Sequence, residues 1–157
     1  MAVTTAPTNR AETLPGKIVS IESILKFFEN DKPSFSELVG LKFGDCTKDR
    51  LVASVVVRPE LSNRHGVMHG GAVMALADTL GGAATSANLP AGMMTSTIES
   101  KTNFFAAIPV GDTAHAECLP LHRGRTTMVW QTKITRNDGK LAAMVTQTQI
   151  VMPASKS

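Results

Sequence analysis

The residues best suited to chemistry lie between positions 63 and 78, where a glycine-rich polar stretch runs into an apolar one. Asp78 is the single carboxylate of the apolar part, and a buried carboxylate without partners is strongly destabilising. On a helical wheel its neighbours include Gly81 and Gly82, which leave room for another group to approach. Asp78 is therefore a candidate nucleophile or general base. A structural aspartate that hydrogen-bonds a neighbouring loop is the alternative.

The tripeptide His69-Gly70-Gly71 precedes the apolar stretch and is expected to begin its helix. Free backbone N–H groups at a helix N-terminus, together with the helix dipole, stabilise negative charge that develops on a carbonyl oxygen. Glycine also allows a substrate to approach the backbone closely. A glycine turn that only starts a helix is the competing interpretation.

The spacing of Gly70 and Asp78 bears on how a site is assembled. They are eight positions apart, which is about 12 Å along a straight helix. An oxyanion donor and a nucleophile or base must both lie within about 3 Å of the reacting centre. One helix is therefore not expected to supply both. The spacing predicts a homodimer with shared sites, in which Asp78 comes from one subunit and Gly70 from the other.

Other patterns in the sequence bear on metal, cofactor and anion sites. His65 and His69 have i, i+4 spacing, but the stretch lacks the glutamate of the zinc-protease motif, so we expect no metal. A Walker loop, a dinucleotide fingerprint and a G-x-S-x-G elbow are all missing, and we expect no cofactor. Arg123 and Arg125, in a predicted turn, suit phosphate groups through paired N–H donors. A solvated charged hairpin fits them equally well.

Hydrophobic spacing predicts the elements that position these residues. Helical spacing is found over residues 18–30, 35–39 and 70–87. Strand character, which is weak in the first case, is found over residues 41–47, 50–58, 93–107, 113–121, 126–136 and 141–152. The predicted turns include Lys48-Asp49 and Asn137-Asp138-Gly139.

The helix over residues 70–87 is apolar nearly all round, which indicates burial on most sides. Its most apolar stripe consists of Val73, Leu76, Ala77, Leu80 and Ala84. A sheet of this size needs one face covered, and this is the only long apolar helix available. The economical α+β architecture is a curved antiparallel sheet wrapped around one long central helix.

Length and composition bound the class of protein. The 157 residues suit one domain, which we place at residues 18–153 after a flexible tail over residues 1–17. The tail has no signal-peptide core, and no apolar run is long enough for a membrane span. Two lone cysteines fit a cytoplasmic location. With 4% aromatic residues, no tyrosine and a net charge of +3, nucleic acid is not an expected partner.

The motif Asn63-x6-Gly70-x7-Asp78, within HGGAVMALAD, resembles the hotdog-fold acyl-CoA thioesterases of the PaaI / 4-hydroxybenzoyl-CoA thioesterase type. The resemblance covers residues 38–152. It implies the hotdog fold, an acyl-CoA substrate, with aryl- or arylacetyl-CoA as candidates, and a homodimer or homotetramer. Asp78 would be the nucleophile or the base that activates water, Gly70 N–H would polarise the thioester carbonyl, and Asn63 would orient the substrate or water. Some relatives carry glutamate at the position of Asp78, which leaves the branch open.

The resemblance also implies supporting and substrate-binding residues. His69 would support the loop, and Gly71 would bind substrate. Thr97, or Ser96 if the alignment slips by one, would supply a hydroxyl. The arginines at 123 and 125 would contact the phosphates of coenzyme A. Two alternatives remain open: a non-catalytic acyl-CoA-binding module, and a hotdog enoyl-CoA hydratase, which would need a histidine close to Asp78.

Overall fold

The computed structural model describes residues 34–154 and Lys26. The tail predicted over residues 1–17 lies outside the described residues, as does the helix predicted over residues 18–30 except for Lys26, which is helical. The elements in chain order are α1 (Ser34–Val39), β1 (Lys42–Phe43), β2 (Leu51–Val56), a 3-10 turn (Pro59–Leu61), α2 (Gly70–Ser86), β3 (Met93–Phe104), β4 (Thr113–Arg123), β5 (Thr127–Thr135) and β6 (Leu141–Pro153).

The described strands form one six-stranded sheet in the order β1-β2-β4-β5-β6-β3, and every neighbouring pair is antiparallel. Helix α2 packs on one face of this sheet and contacts β2 to β6. All five residues of the predicted apolar stripe of α2 are buried. Strand residues that face the helix complete the core, among them Leu51, Val55, Trp130, Ile134 and Val145. The predicted sheet wrapped around one central helix is confirmed.

The structure differs from the sequence prediction at several element ends. The strand predicted over residues 41–47 is only two residues long. The chain leaves the sheet after it, and an isolated bridge between Thr47 and Arg50 closes the turn that leads into β2. Strand β3 stops at Phe104, whereas β4 continues to Arg123. The turn that follows β4 is therefore at residues 124–126 rather than at residues 122–124.

Helix α2 is also less enclosed than its apolar composition indicated. In the single chain one face, which includes Gly71, Met74 and Asp78, stays exposed. The adjacent β3 forms one edge of the sheet, pairs only with β6 and has mostly exposed residues along its twelve positions. A long exposed edge beside an exposed helix face is where a second chain can add. Among the described residues, no helix has the length and apolarity to cross a membrane.

Candidate active site

Asp78 lies midway along α2 on its exposed face. It lines an open cleft of about 360 Å³ together with Gly82 and with Thr95 and Thr97 of β3. Strand β3 packs against α2. The predicted candidate base is therefore accessible to a small molecule rather than sealed in the core.

Two hydrogen bonds fix the Asp78 carboxylate, and both reach the same oxygen. Thr97 Oγ1 donates to Asp78 Oδ1 at 2.9 Å, and Gln147 Nε2 donates to Oδ1 at 2.6 Å. Asp78 Oδ2 has no hydrogen-bond partner among the described residues. The carboxylate is thus held through one oxygen and keeps the other available for a reaction. Thr97, rather than Ser96, supplies the hydroxyl beside the carboxylate.

Two glutamines on β6 complete this cluster, and the sequence prediction missed both. Gln147 and Gln149 are each 1% exposed, and Gln149 Nε2 donates to Thr97 Oγ1 at 2.7 Å. Their signal in the sequence is an interrupted alternation, because they occupy the same inward-facing register as Val145 and Val151. Two polar residues on the buried face of an otherwise apolar strand need partners, and here those partners are Thr97 and Asp78.

The N-terminus of α2 offers one unused backbone donor. His69 is the N-cap, and its Nδ1 accepts a hydrogen bond from Gly71 N–H at 2.9 Å. The His69 carbonyl oxygen accepts from the N–H groups of Ala72 and Val73. Gly70 N–H, in contrast, has no partner in the described part of the chain. Of the two glycines predicted to face substrate, only Gly70 therefore presents a free N–H.

Asn63 holds the loop that precedes the helix. Its Oδ1 accepts from His65 N–H at 2.9 Å, and its backbone closes a turn through Val67 and Gly66. Gly66 has a φ of +71°, a conformation that glycine adopts without strain. The loop is tied to the segment that joins β3 and β4 by Met68 N–H, which donates to the Ile108 carbonyl oxygen. The Nδ2 group of Asn63 has no partner among residues 34–154.

The two arginines of the predicted phosphate site are in different situations. Arg123 forms an ion pair with Asp49 and donates to Asn88 Oδ1 at 3.0 Å. Arg125 has no hydrogen-bond or ion-pair partner among the described residues. Both line a groove of about 580 Å³ near the C-terminal end of α2. Arg123 is thus occupied within the chain, and Arg125 is the free cation.

The structure leaves other predicted features away from this cluster. Gly70 and Asp78 lie on one uninterrupted helix, so the separation of about 12 Å expected from their spacing stands. His65 accepts a hydrogen bond from Arg64, and no group of three or more potential metal ligands occurs in the described part of the chain. Cys118 is buried between the sheet and helix; burial raises the pKa of its thiol to about 11 despite a hydrogen bond with Thr132.

Comparisons with known proteins identify the family. A family model described as the thioesterase superfamily matches residues 65–143. The proofreading thioesterase EntH of Cronobacter turicensis is 30% identical over 104 residues, which are 66% of this chain and 75% of EntH.

Two solved structures are similar over most of their length. Thioesterase HI1161 from Haemophilus influenzae is 25% identical with a TM-score of 0.78, covering 87% of this chain and 93% of that one. The protein smu.793 from Streptococcus mutans, solved with acetyl CoA bound, is 25% identical with a TM-score of 0.67, covering 74% and 91%. The match to the family model includes α2 and strands β3 to β5. The chain belongs to the thioesterase superfamily, and its α+β architecture is the hotdog fold of thioester hydrolases.

Proposed function

We propose that the protein hydrolyses the thioester of an acyl-CoA to a free acid and CoA, with Asp78 as nucleophile or general base. The observation that carries this proposal is the asymmetric anchoring of the carboxylate. Oδ1 accepts from Thr97 and Gln147, whereas Oδ2 has no partner among the described residues and belongs to a side chain that lines the cleft. A carboxylate held in this way is oriented for attack or proton transfer without having to reorganise.

Either role of Asp78 gives a balanced reaction. As nucleophile, Oδ2 forms a bond to the thioester carbon, the C–S bond breaks, CoA leaves as thiolate and water hydrolyses the resulting anhydride. As base, Oδ2 takes a proton from water while the water oxygen bonds to the carbon; the C–S bond then breaks and the proton passes to the departing sulfur. Both routes place negative charge on the carbonyl oxygen. The free N–H of Gly70 suits that oxygen, and Asn63 Nδ2 suits the substrate or the water.

The site is expected to form between two subunits of a homodimer. Edge-to-edge pairing of two β3 strands would continue the sheet and cover the exposed face of α2 in each subunit. It would also bring the start of one α2 towards the middle of the other, which satisfies the spacing of Gly70 and Asp78. A homotetramer would be a dimer of such dimers, and light scattering after size exclusion distinguishes the two.

The choice of coenzyme A as the leaving group has two supports. The relative smu.793 was solved with acetyl CoA, and Arg125 is a free cation beside a groove of about 580 Å³. An arginine without an internal partner suits a phosphate. A bare acyl-CoA-binding module would not need a carboxylate with a free oxygen. A hydratase would need a histidine next to Asp78, where this chain has threonine and glutamine.

The first test is thiol release from a panel of short-, long-chain, aryl- and arylacetyl-CoA esters, followed with a thiol reagent. Wild-type protein is expected to release CoA from at least one ester, and Asp78→Asn and Asp78→Ala to lose nearly all of that activity. Full activity in both variants would refute the role of Asp78. Tight binding of CoA esters with no thiol release from any of them would favour the binding module.

The shared site has its own test. Asp78→Asn and Gly70→Pro variants, each inactive alone, are mixed under conditions that allow their subunits to exchange. If each site takes Asp78 from one subunit and Gly70 from the other, random reassembly restores about a quarter of the wild-type activity, because half of the dimers then contain one intact site of two. No recovery after mass spectrometry has verified exchange would show that the residues act within one subunit.

A further inference from the structure

Gln147 lies beneath the Asp78 carboxylate, on the sheet side of α2. Its Nε2 is 2.6 Å from Asp78 Oδ1, 3.0 Å from Thr97 Oγ1 and 3.4 Å from the Asp78 carbonyl oxygen. The side chain is 1% exposed, so it cannot itself reach a substrate in the cleft. Any effect that it has on the reaction must pass through Asp78 and Thr97.

The hydrogen-bond directions in this cluster are determined by chemistry. An ionised carboxylate only accepts, so the single O–H of Thr97 is used to donate to Asp78. The Thr97 oxygen can then only accept, and it does so from Gln147 and Gln149. Gln149 is in turn contacted by Thr95, whose hydroxyl is 3.0 Å from Gln149 Oε1 and 2.9 Å from the Ile150 carbonyl oxygen. The donors of Gln149 and Thr97 therefore form a chain that ends at the Asp78 carboxylate.

Helix α2 is shaped to admit Gln147. A Cβ atom added at Gly81 would lie 2.0 Å from Gln147 Oε1 and 2.7 Å from its Cδ, so an alanine there would displace the amide. The same Oε1 is buried and has no hydrogen-bond partner among the described residues. An unpaired buried oxygen lowers stability, and an aliphatic side chain of the same size would not carry that cost. Packing alone thus argues against a glutamine here, and the contact with Asp78 accounts for it.

We propose that Gln147 is a positioning residue that anchors Asp78 through Oδ1 and so leaves Oδ2 directed at the substrate. This inference rests on the proposed role of Asp78 in hydrolysis. Gln147 sets which oxygen is anchored, Thr97 is held in the acceptor state that supports this anchor, and Gly81 provides the space for the amide.

The kinetic test uses a double-mutant cycle. Gln147→Leu and Gln147→Ala are expected to lower kcat about 10- to 100-fold, as for the loss of a hydrogen bond to a charged group, with KM changed less than about threefold because the side chain does not touch substrate. Gly81→Ala is expected to lower kcat to a similar degree. In the double variant Gly81→Ala/Gln147→Ala it should add nothing further, since the displaced amide is gone. If the kcat losses of the two single variants multiply in the double variant, the proposal is wrong.

The matched control is Thr132→Val, an isosteric change at another buried polar residue of the sheet that is 1% exposed and lies outside this cluster. It is expected to keep the wild-type kcat. Thermal unfolding of all variants separates positioning from general damage, because Gln147→Leu should unfold at or above the wild-type temperature. A kcat loss that follows the loss of stability across the series would refute positioning.

A readout without substrate separates this inference from the proposed function. The chain has three glutamines, at positions 131, 147 and 149, so the side-chain amide of Gln147 can be assigned in a nitrogen-15 spectrum by its loss in Gln147→Leu. Asp78→Asn should shift this signal strongly and that of Gln131 very little. If the shift occurs but no thioester is hydrolysed, the proposed function fails and the contact stands. An unshifted Gln147 amide refutes the proposal regardless of activity.

Discussion

Replacing Gly70 with proline removes one backbone N–H and disturbs little else. Gly70 is the first residue of α2, where a helix needs no N–H from the backbone and where proline is favoured. It is not among the glycines with positive φ. His69 before it has φ −64° and ψ 138°, the extended conformation that a residue before proline prefers. The variant is therefore expected to fold and to retain α2.

The size of the effect follows from the role assigned to that N–H. The loss of one preorganised oxyanion donor lowers kcat about 100- to 1,000-fold, or about 2.7–4 kcal/mol of transition-state stabilisation. No such loss is expected if Gly70 only starts the helix. KM should change little, because the donor acts on charge that is present only in the transition state.

Gly70→Ala is the matched control, since it adds a Cβ but keeps the N–H. The added atom would lie 3.2 Å from Phe104 Cζ, so the ring has to move by a few tenths of an ångström. Phe104 is 55% exposed and can move outward. The alanine variant should therefore retain most of the wild-type kcat.

The assay is thiol release with the best substrate of the panel, with circular dichroism and thermal unfolding to verify folding. A large kcat ratio between Gly70→Ala and Gly70→Pro would support the oxyanion role. Wild-type activity in both folded variants would refute it. Equal losses would instead indicate that a side chain at this position blocks the substrate.

Three further predictions test the rest of the structure. Arg125→Ala should raise KM for CoA esters about tenfold with kcat unchanged, whereas Arg123→Ala should chiefly lower the thermal unfolding temperature; KM and unfolding of both variants separate these outcomes. Thr85→Val should destabilise by about 1–3 kcal/mol in urea unfolding, because the Trp130 indole N–H, 2.8 Å from Thr85 Oγ1, loses its buried acceptor. Cys118, with a thiol pKa of about 11, is about one part in a thousand thiolate at pH 8, so iodoacetamide should label it only after unfolding, as mass spectrometry would show.

The sequence predicted most of the fold because its signals are local. The alternation in β2, β5 and β6 and the apolar stripe of α2 each lie within one element, and the structure confirms them. Asp78 was found in the same way, as one carboxylate in an apolar helix. The predicted element ends were less accurate. Residues 44–46 leave the sheet and residues 121–123 extend β4, and in both cases the neighbouring strand decides this rather than the local sequence preference.

The remaining features depend on contacts between residues distant in sequence. Arg123 and Arg125 look equivalent in a four-residue run, yet only Arg123 meets Asp49, 74 residues away along the chain. Gln147 is 69 positions from Asp78. Neither pairing follows from spacing, because both arise from strand register and from the way that the sheet curves over α2.

The two glycines that follow Asp78 show what the tertiary structure adds. From the sequence, Gly81 and Gly82 were expected together to leave room for a group that approaches the carboxylate. In the structure they face different neighbours: Gly81 admits Gln147 from the sheet, whereas nothing lies within 4 Å of a Cβ added at Gly82, which lines the open cleft.

Each glycine weakens the helix by about 1 kcal/mol relative to alanine, and each serves a different side of one side chain. The Gly81 side receives the anchor of Oδ1, and the Gly82 side keeps the cleft open next to Asp78. The carboxylate is thus enclosed by Gln147 on the side of the sheet and open on the side of the cleft, and the two glycines permit both. An alanine at position 81 should therefore act on the orientation of Asp78, whereas one at position 82 should act on the room available to substrate.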